Sequence, residues 1–83
     1  MSHASELLQK RRRANLQALM DDFRTEGITT FEQLAALFEF RPDDLKAMTE
    51  GRCDIREHEA RHVEWVANRR RGWLDESRQD DGD

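Results

Sequence analysis

At 83 residues the chain has material for one small domain with a single core, too little for a deep substrate cleft. Charged residues make up 39% and hydrophobic ones 36%; the apolar ones recur at helical spacing, which excludes disorder throughout. A lone cysteine, Cys53, excludes an internal disulfide, and with no apolar run long enough for a signal peptide or a membrane span the expected location is cytoplasmic, without membrane contact.

From Ser5 onward Leu7, Leu8, Leu16, Leu19, Met20 and Phe23 follow steps of three and four up to Gly27, which predicts a first helix whose opposite face carries Lys10, Arg11, Arg12 and Arg13. In "GITTFEQLAALFEF" Thr30 caps a short second helix, Gln33 reaches back to it, and Leu34, Ala35 and Phe38 supply the buried face. A break at "EFRPDD" leads into a third helix: Pro42 suits its first turn, Asp43 and Asp44 favour its positive end, Leu45 and Met48 point inward, and Gly51 closes it. Ile55, Val63, Val66 and Ala67 mark one stripe of a fourth helix, and "GWLD" at Gly72 to Asp75 supplies a terminal anchor in Trp73 and Leu74. Residues 76–83, "ESRQDDGD", have nothing to bury and are expected to be a disordered acidic tail, so residues 1–75 form the domain. The tail holds Glu76, Asp80, Asp81 and Asp83 against Arg78, a charge of −4 + 1 = −3 out of the total −4, which leaves the domain near neutral at −1. With no period-two alternation and no hairpin turn between β-branched runs, the expected class is all-α.

Two short helices joined by a tight turn invite comparison with DNA-binding helix-turn-helix domains. With Phe31 as the first motif position, Leu34, Phe38, Phe40, Leu45 and Met48 occupy the five apolar core places, and Ala35 falls where a small residue lets the helices approach. Glu50-Gly51 stands where Asn-Gly is usual, "CDIREHEARHVEWV" resembles the next helix, and "GWLD" looks like the ending of many phage-type repressors. On these residues the chain from about Arg12 to Asp75 resembles the phage repressor and Cro-type domains of the xenobiotic-response-element class. The resemblance implies a four- to five-helix, lambda-repressor-like fold and a small transcriptional regulator that binds duplex DNA, with a homodimer as a further expectation.

The departures from that family lie at the DNA-facing positions. Phe31 replaces the usual phosphate-holding Gln, and Glu39 replaces a turn glycine that often needs positive φ. Asp43 and Asp44 stand near the start of the recognition helix, and Glu50 replaces an asparagine that often meets phosphate. In the DNA reading Arg41, Asp43, Asp44, Lys46 and Arg52 face the groove, while "KRRR" (Lys10, Arg11, Arg12, Arg13) and "NRRR" (Arg69, Arg70 and Arg71 after Asn68) sit on phosphates. In the alternative, the same fold binds a basic or DNA-binding protein through its acidic surface.

"HEARH", His58 to His62, spells the H-E-x-x-H of zinc hydrolases, but the same residues fit the fourth helix with His58 and His62 at the edge of its buried face, and no third ligand follows. No catalytic residue, metal, cofactor or small-molecule substrate is therefore expected. Cys53 reads as a semi-buried turn residue, and Trp65 and Trp73 as packing anchors.

Overall fold

Leu16, Leu19, Met20 and Phe23 fall on one stripe of a helix, and in the computed structural model, which describes residues 3–77, they form the inward side of α1 (His3–Thr25). Three shorter helices pack against it: α2 (Phe31–Phe38), α3 (Pro42–Glu50) and α4 (Glu57–Val66), followed by one turn of 3-10 helix at Trp73–Asp75. No strand occurs among the described residues, so the chain is all-α as expected. Leu34, Ala35, Phe38, Leu45, Met48, Ile55, Ala60, Val63, Ala67 and Leu74 complete the core with Leu16, Leu19 and Met20. Phe40 and Phe31 close its edge, only half-buried. From residue 78 on, the segment expected to be a disordered tail lies outside the described residues.

The local signals operate as their chemistry requires. Thr30 Oγ1 accepts from the Gln33 amide at 3.1 Å, and Gln33 Oε1 accepts from the amides of Thr30 and Thr29, so the cap satisfies the Gln33 donor and the two amides that lead into α2. At its other end Glu39 takes the left-handed conformation, φ 65° and ψ 32°, that the sequence placed where glycine is customary. Gly51 does the same for α3 at φ 78°. Arg41, at the N-cap of α3, makes no capping hydrogen bond, and Asp43 and Asp44 in the first turn offset the exposed amide ends electrostatically. Ile55 is buried but precedes α4, which begins at Glu57.

Three polar residues on α1 fasten the segments that are not helical. The Gln9 amide pairs with the backbone of Ile55, donating to its carbonyl at 3.0 Å and accepting from its N–H at 2.8 Å. Asn15 donates to the carbonyls of Leu74 at 2.8 Å and Glu76 at 2.7 Å, which holds the chain against α1 as it leaves the terminal turn. Arg12 lies between them and is buried, 4% exposed.

Candidate functional site

The turn Glu39–Arg41 is only three residues long, and α3 beyond it shows solvent every side chain except Leu45 and Met48 and the partly covered Ala47 and Thr49. Arg41, Asp43, Asp44 and Lys46 are all exposed there. Glu32, Asp43, Lys46 and Glu50 line a shallow groove between the start of α2 and α3, with Phe31, Pro42 and Thr49 as its floor. Three carboxylates thus face one ammonium. Arg52, past the C-terminal end of α3, gives its Nε to the Glu50 carboxylate at 2.8 Å, so its charge is partly spent within the chain. Arg13 reaches the same end from α1: its guanidinium carbon lies 3.6 Å from where a Cβ on Gly51 would stand. Arg13 and Arg52 thus stand at the C-terminal end of α3, Lys46 on its exposed side and Arg41 at its N-cap.

The cluster Lys10 to Arg13 does not act as one face. Consecutive helical residues are rotated by about 100° from one another, so four in a row circle the axis. Lys10 is exposed, Arg11 and Arg13 are half-buried, and Arg12 points inward because it stands one turn before Leu16. Its guanidinium donates to the Ile55 carbonyl at 2.7 Å, to Asp75 at 2.7 Å and to Glu57 at 2.9 Å. Arg12 is thus corrected from phosphate contact to core residue. Every donor direction it uses is taken up inside the domain.

Arg12 belongs to a network that joins α1, α4 and the terminal turn. Arg61 pairs with Asp75 at 2.9 Å and with Glu64 at 3.1 Å, and Glu64, 1% exposed, accepts from the amides of Gly72 at 3.0 Å and Leu74 at 2.7 Å. Glu64 therefore caps the start of the terminal turn from within. Burial alone would raise the carboxyl of Asp75, but the hydrogen bonds from Arg12 and Arg61 and their charge carry it below the ordinary aspartate value. Nothing in the spacing of the sequence announced this network, although Arg12 and Asn15, each one turn before a buried leucine, already stood on the apolar stripe.

Arg69, Arg70 and Arg71 are expected within a helical turn, yet α4 ends at Val66 and Asn68 turns the chain with φ 60°. The three arginines lie in the connection beyond. Arg69 pairs with Asp22 at 3.4 Å and covers the Trp73 ring at 5.1 Å; Arg70 pairs with Glu76, and Arg71 stands 4.0 Å from Glu57. The guanidinium groups of Arg70 and Arg71 remain largely in solvent.

His58 is exposed on α4, and His62 is not free to bind metal through Nε2, which hydrogen-bonds the Phe38 carbonyl at 2.8 Å. That bond satisfies one of the carbonyls left open at the end of α2 and ties α4 to the α2–α3 turn. Among the described residues no group of three or more histidine, cysteine or acidic side chains is placed to hold a metal. Two packing expectations are corrected. Trp65 is 76% exposed because, three residues after His62, it falls on the outward side of α4, where its ring stacks on that histidine with centroids 6.1 Å apart. Cys53 is exposed rather than semi-buried, since the loop after Gly51 anchors itself through Ile55. Trp73, by contrast, is half-buried against the core.

No helix among the described residues is long and apolar enough to cross a membrane. Comparison with protein-family models, with curated proteins and with solved structures finds no match.

Proposed function

We propose that this chain is a repressor-like helix-turn-helix domain that binds duplex DNA and regulates transcription, with α3 entering the major groove. The observation that carries the reading is the α2–α3 unit: eight residues of helix, a three-residue turn with its first residue in the left-handed conformation, and nine residues of helix left uncovered along one side. Arg41 and Lys46 lie on that side, and Arg13 and Arg52 at its C-terminal end, with Lys10 exposed on α1, supply phosphate contacts. Arg69 to Arg71 form a second basic site on the connection after α4. Two copies would place two such helices on successive half-sites.

One observation favours a second reading, in which the same unit binds a basic protein. Asp43, Asp44, Glu50 and Glu32 outnumber the two cations on α3 and its N-cap, Lys46 and Arg41, and a duplex phosphate backbone is repelled by such a surface. Replacing Asp43 and Asp44 with Asn separates the two. The DNA reading expects tighter binding to a short duplex of mixed sequence; the protein reading expects no duplex binding by either form and loss of a cationic partner by the variant. Because both aspartates also serve the N-terminus of α3, the comparison is made where the variant's circular dichroism shows it folded.

A further inference from the structure

A ladder of aromatic rings runs from the core to the surface beside the α2–α3 turn. Phe38, fully buried, stacks on Phe40 with centroids 6.2 Å apart, Phe40 meets His62 at 5.8 Å, and His62 stacks on Trp65 at 6.1 Å. The bond from His62 Nε2 to the Phe38 carbonyl fixes the ring on which Trp65 rests. Trp65 itself is 76% exposed, so its contact with His62 leaves most of the indole in solvent. Next to the ladder stands the Glu39 carboxylate, 71% exposed and 3.6 Å from His62 Nε2. Neither reading of α3 uses this side of α4.

We propose that Trp65 and Glu39 form a docking point for an arginine side chain of a protein partner, its guanidinium laid on the open indole and its charge met by the carboxylate. A purely apolar occupant finds too little to cover: among the described residues the other exposed large hydrophobic side chain is Leu7 on α1, and one tryptophan buries about 150–250 Å² where a stable interface needs about 800 Å² from each partner. A second copy of the chain is disfavoured on the same ground. A planar cation suits one ring and one acid, because the electron-rich face of indole attracts it while its N–H groups stay free at the edge. The molecule makes this pairing at its other tryptophan, where Arg69 covers the Trp73 ring at 5.1 Å. At Trp65 it does not: Arg61, one turn earlier on α4, is drawn to Asp75 and Glu64, and among the described residues no cation lies over the Trp65 ring. Phosphate, by contrast, would meet Glu39 and be repelled.

The test titrates the full chain with a short glycine–serine peptide carrying a single central arginine, and with its counterpart in which neutral citrulline replaces the arginine. Nitrogen–proton spectra locate the contact. The indole N–H of Trp65 and the amides of Phe40 and His62 should shift saturably with the arginine peptide, the Trp73 indole should stay in place, and citrulline should bind more weakly. Followed through the His62 amide, Trp65→Leu, which keeps apolar area but removes the ring, should raise Kd roughly fivefold or more, and Glu39→Gln roughly two- to fivefold. The inference is overturned by an unmoved Trp65 indole, by equal binding of both peptides, by wild-type affinity in Trp65→Leu, or by the same shifts appearing when the chain is concentrated alone, which assigns the face to a second copy. Because the peptide is also attracted to the acids of α3, the titration is repeated with Asp43→Asn/Asp44→Asn. A Trp65 response that persists there supports the site on α4; one that disappears moves the contact to α3, so the inference fails while the protein reading of α3 stands.

Discussion

Arg12 shows how far charge counting carries at the scale of one residue. In the sequence it is the third of four consecutive basic residues; in the fold it is a buried guanidinium held by Ile55, Glu57 and Asp75. Its inward direction was legible, since Leu16 follows one turn later, but its partners stand 43 to 63 positions away and no spacing links them. Removing one member of a buried pair leaves the others unpaired, so Arg12→Ala should cost about 3–5 kcal/mol in urea unfolding. Lys10→Ala, on exposed surface two residues earlier, should stay within about 0.5 kcal/mol of wild type. Asp75 gives the same network a pH dependence. Its carboxyl is depressed in the folded chain, so its contribution is complete above the ordinary aspartate range and is lost as pH falls through the folded value; Glu59, depressed by the hydrogen bond from Arg56, behaves alike. Acid titration of stability should therefore steepen below about pH 4, and Asp75→Asn should flatten that fall while lowering stability at neutral pH. An unchanged acid profile in Asp75→Asn would show that the network contributes nothing.

At the scale of elements, the helices follow from periodicity and caps that can be read directly. Thr30 with Gln33, Pro42, and Gly51 delimit α2 and α3 because each satisfies or omits a particular backbone donor, and the apolar positions Leu34, Phe38, Leu45 and Met48 are buried as their spacing demands. Leu34→Ala or Leu45→Ala should cost about 2–5 kcal/mol, since both are fully enclosed. Less legible was the end of α4. Val66, Ala67 and the basic run after them continue a plausible helical stripe, yet Asn68 turns left-handed and the chain folds back to place Leu74 in the core. The turn at Glu39 was legible as an anomaly, and the structure keeps the left-handed backbone with the wrong residue for it. Glu39→Gly should stabilise the domain by about 0.5–1 kcal/mol, the relief of a left-handed non-glycine residue less the entropy that glycine adds to the unfolded chain. A thermal unfolding midpoint lower than wild type would mean that the contact of Glu39 with His62, 3.6 Å apart, outweighs the strain.

For the whole molecule, the opposing features are an uncovered α3 and the acids that surround it. Shape could be anticipated from two short helices and a turn, whereas the electrostatics needed the fold: only there is Arg12 withdrawn, Arg52 paired with Glu50, and Arg70 paired with Glu76. The cations left for phosphate are Arg41, Lys46, Lys10, Arg13 and the exposed heads of Arg70 and Arg71. In the proposed DNA reading, such a surface would bind duplex through a few counterion-releasing contacts, against repulsion from Asp43 and Asp44. The most direct measurement is the affinity of the intact chain for a short mixed-sequence duplex across a series of salt concentrations, with the Asp43→Asn/Asp44→Asn chain beside it. The DNA reading predicts a linear fall of log K with log salt, at a slope of about −0.9 for each phosphate neutralised, and a tighter line for the variant. Failure of both chains to bind duplex at the lowest salt would contradict it and leave the acidic face of α3 as the site.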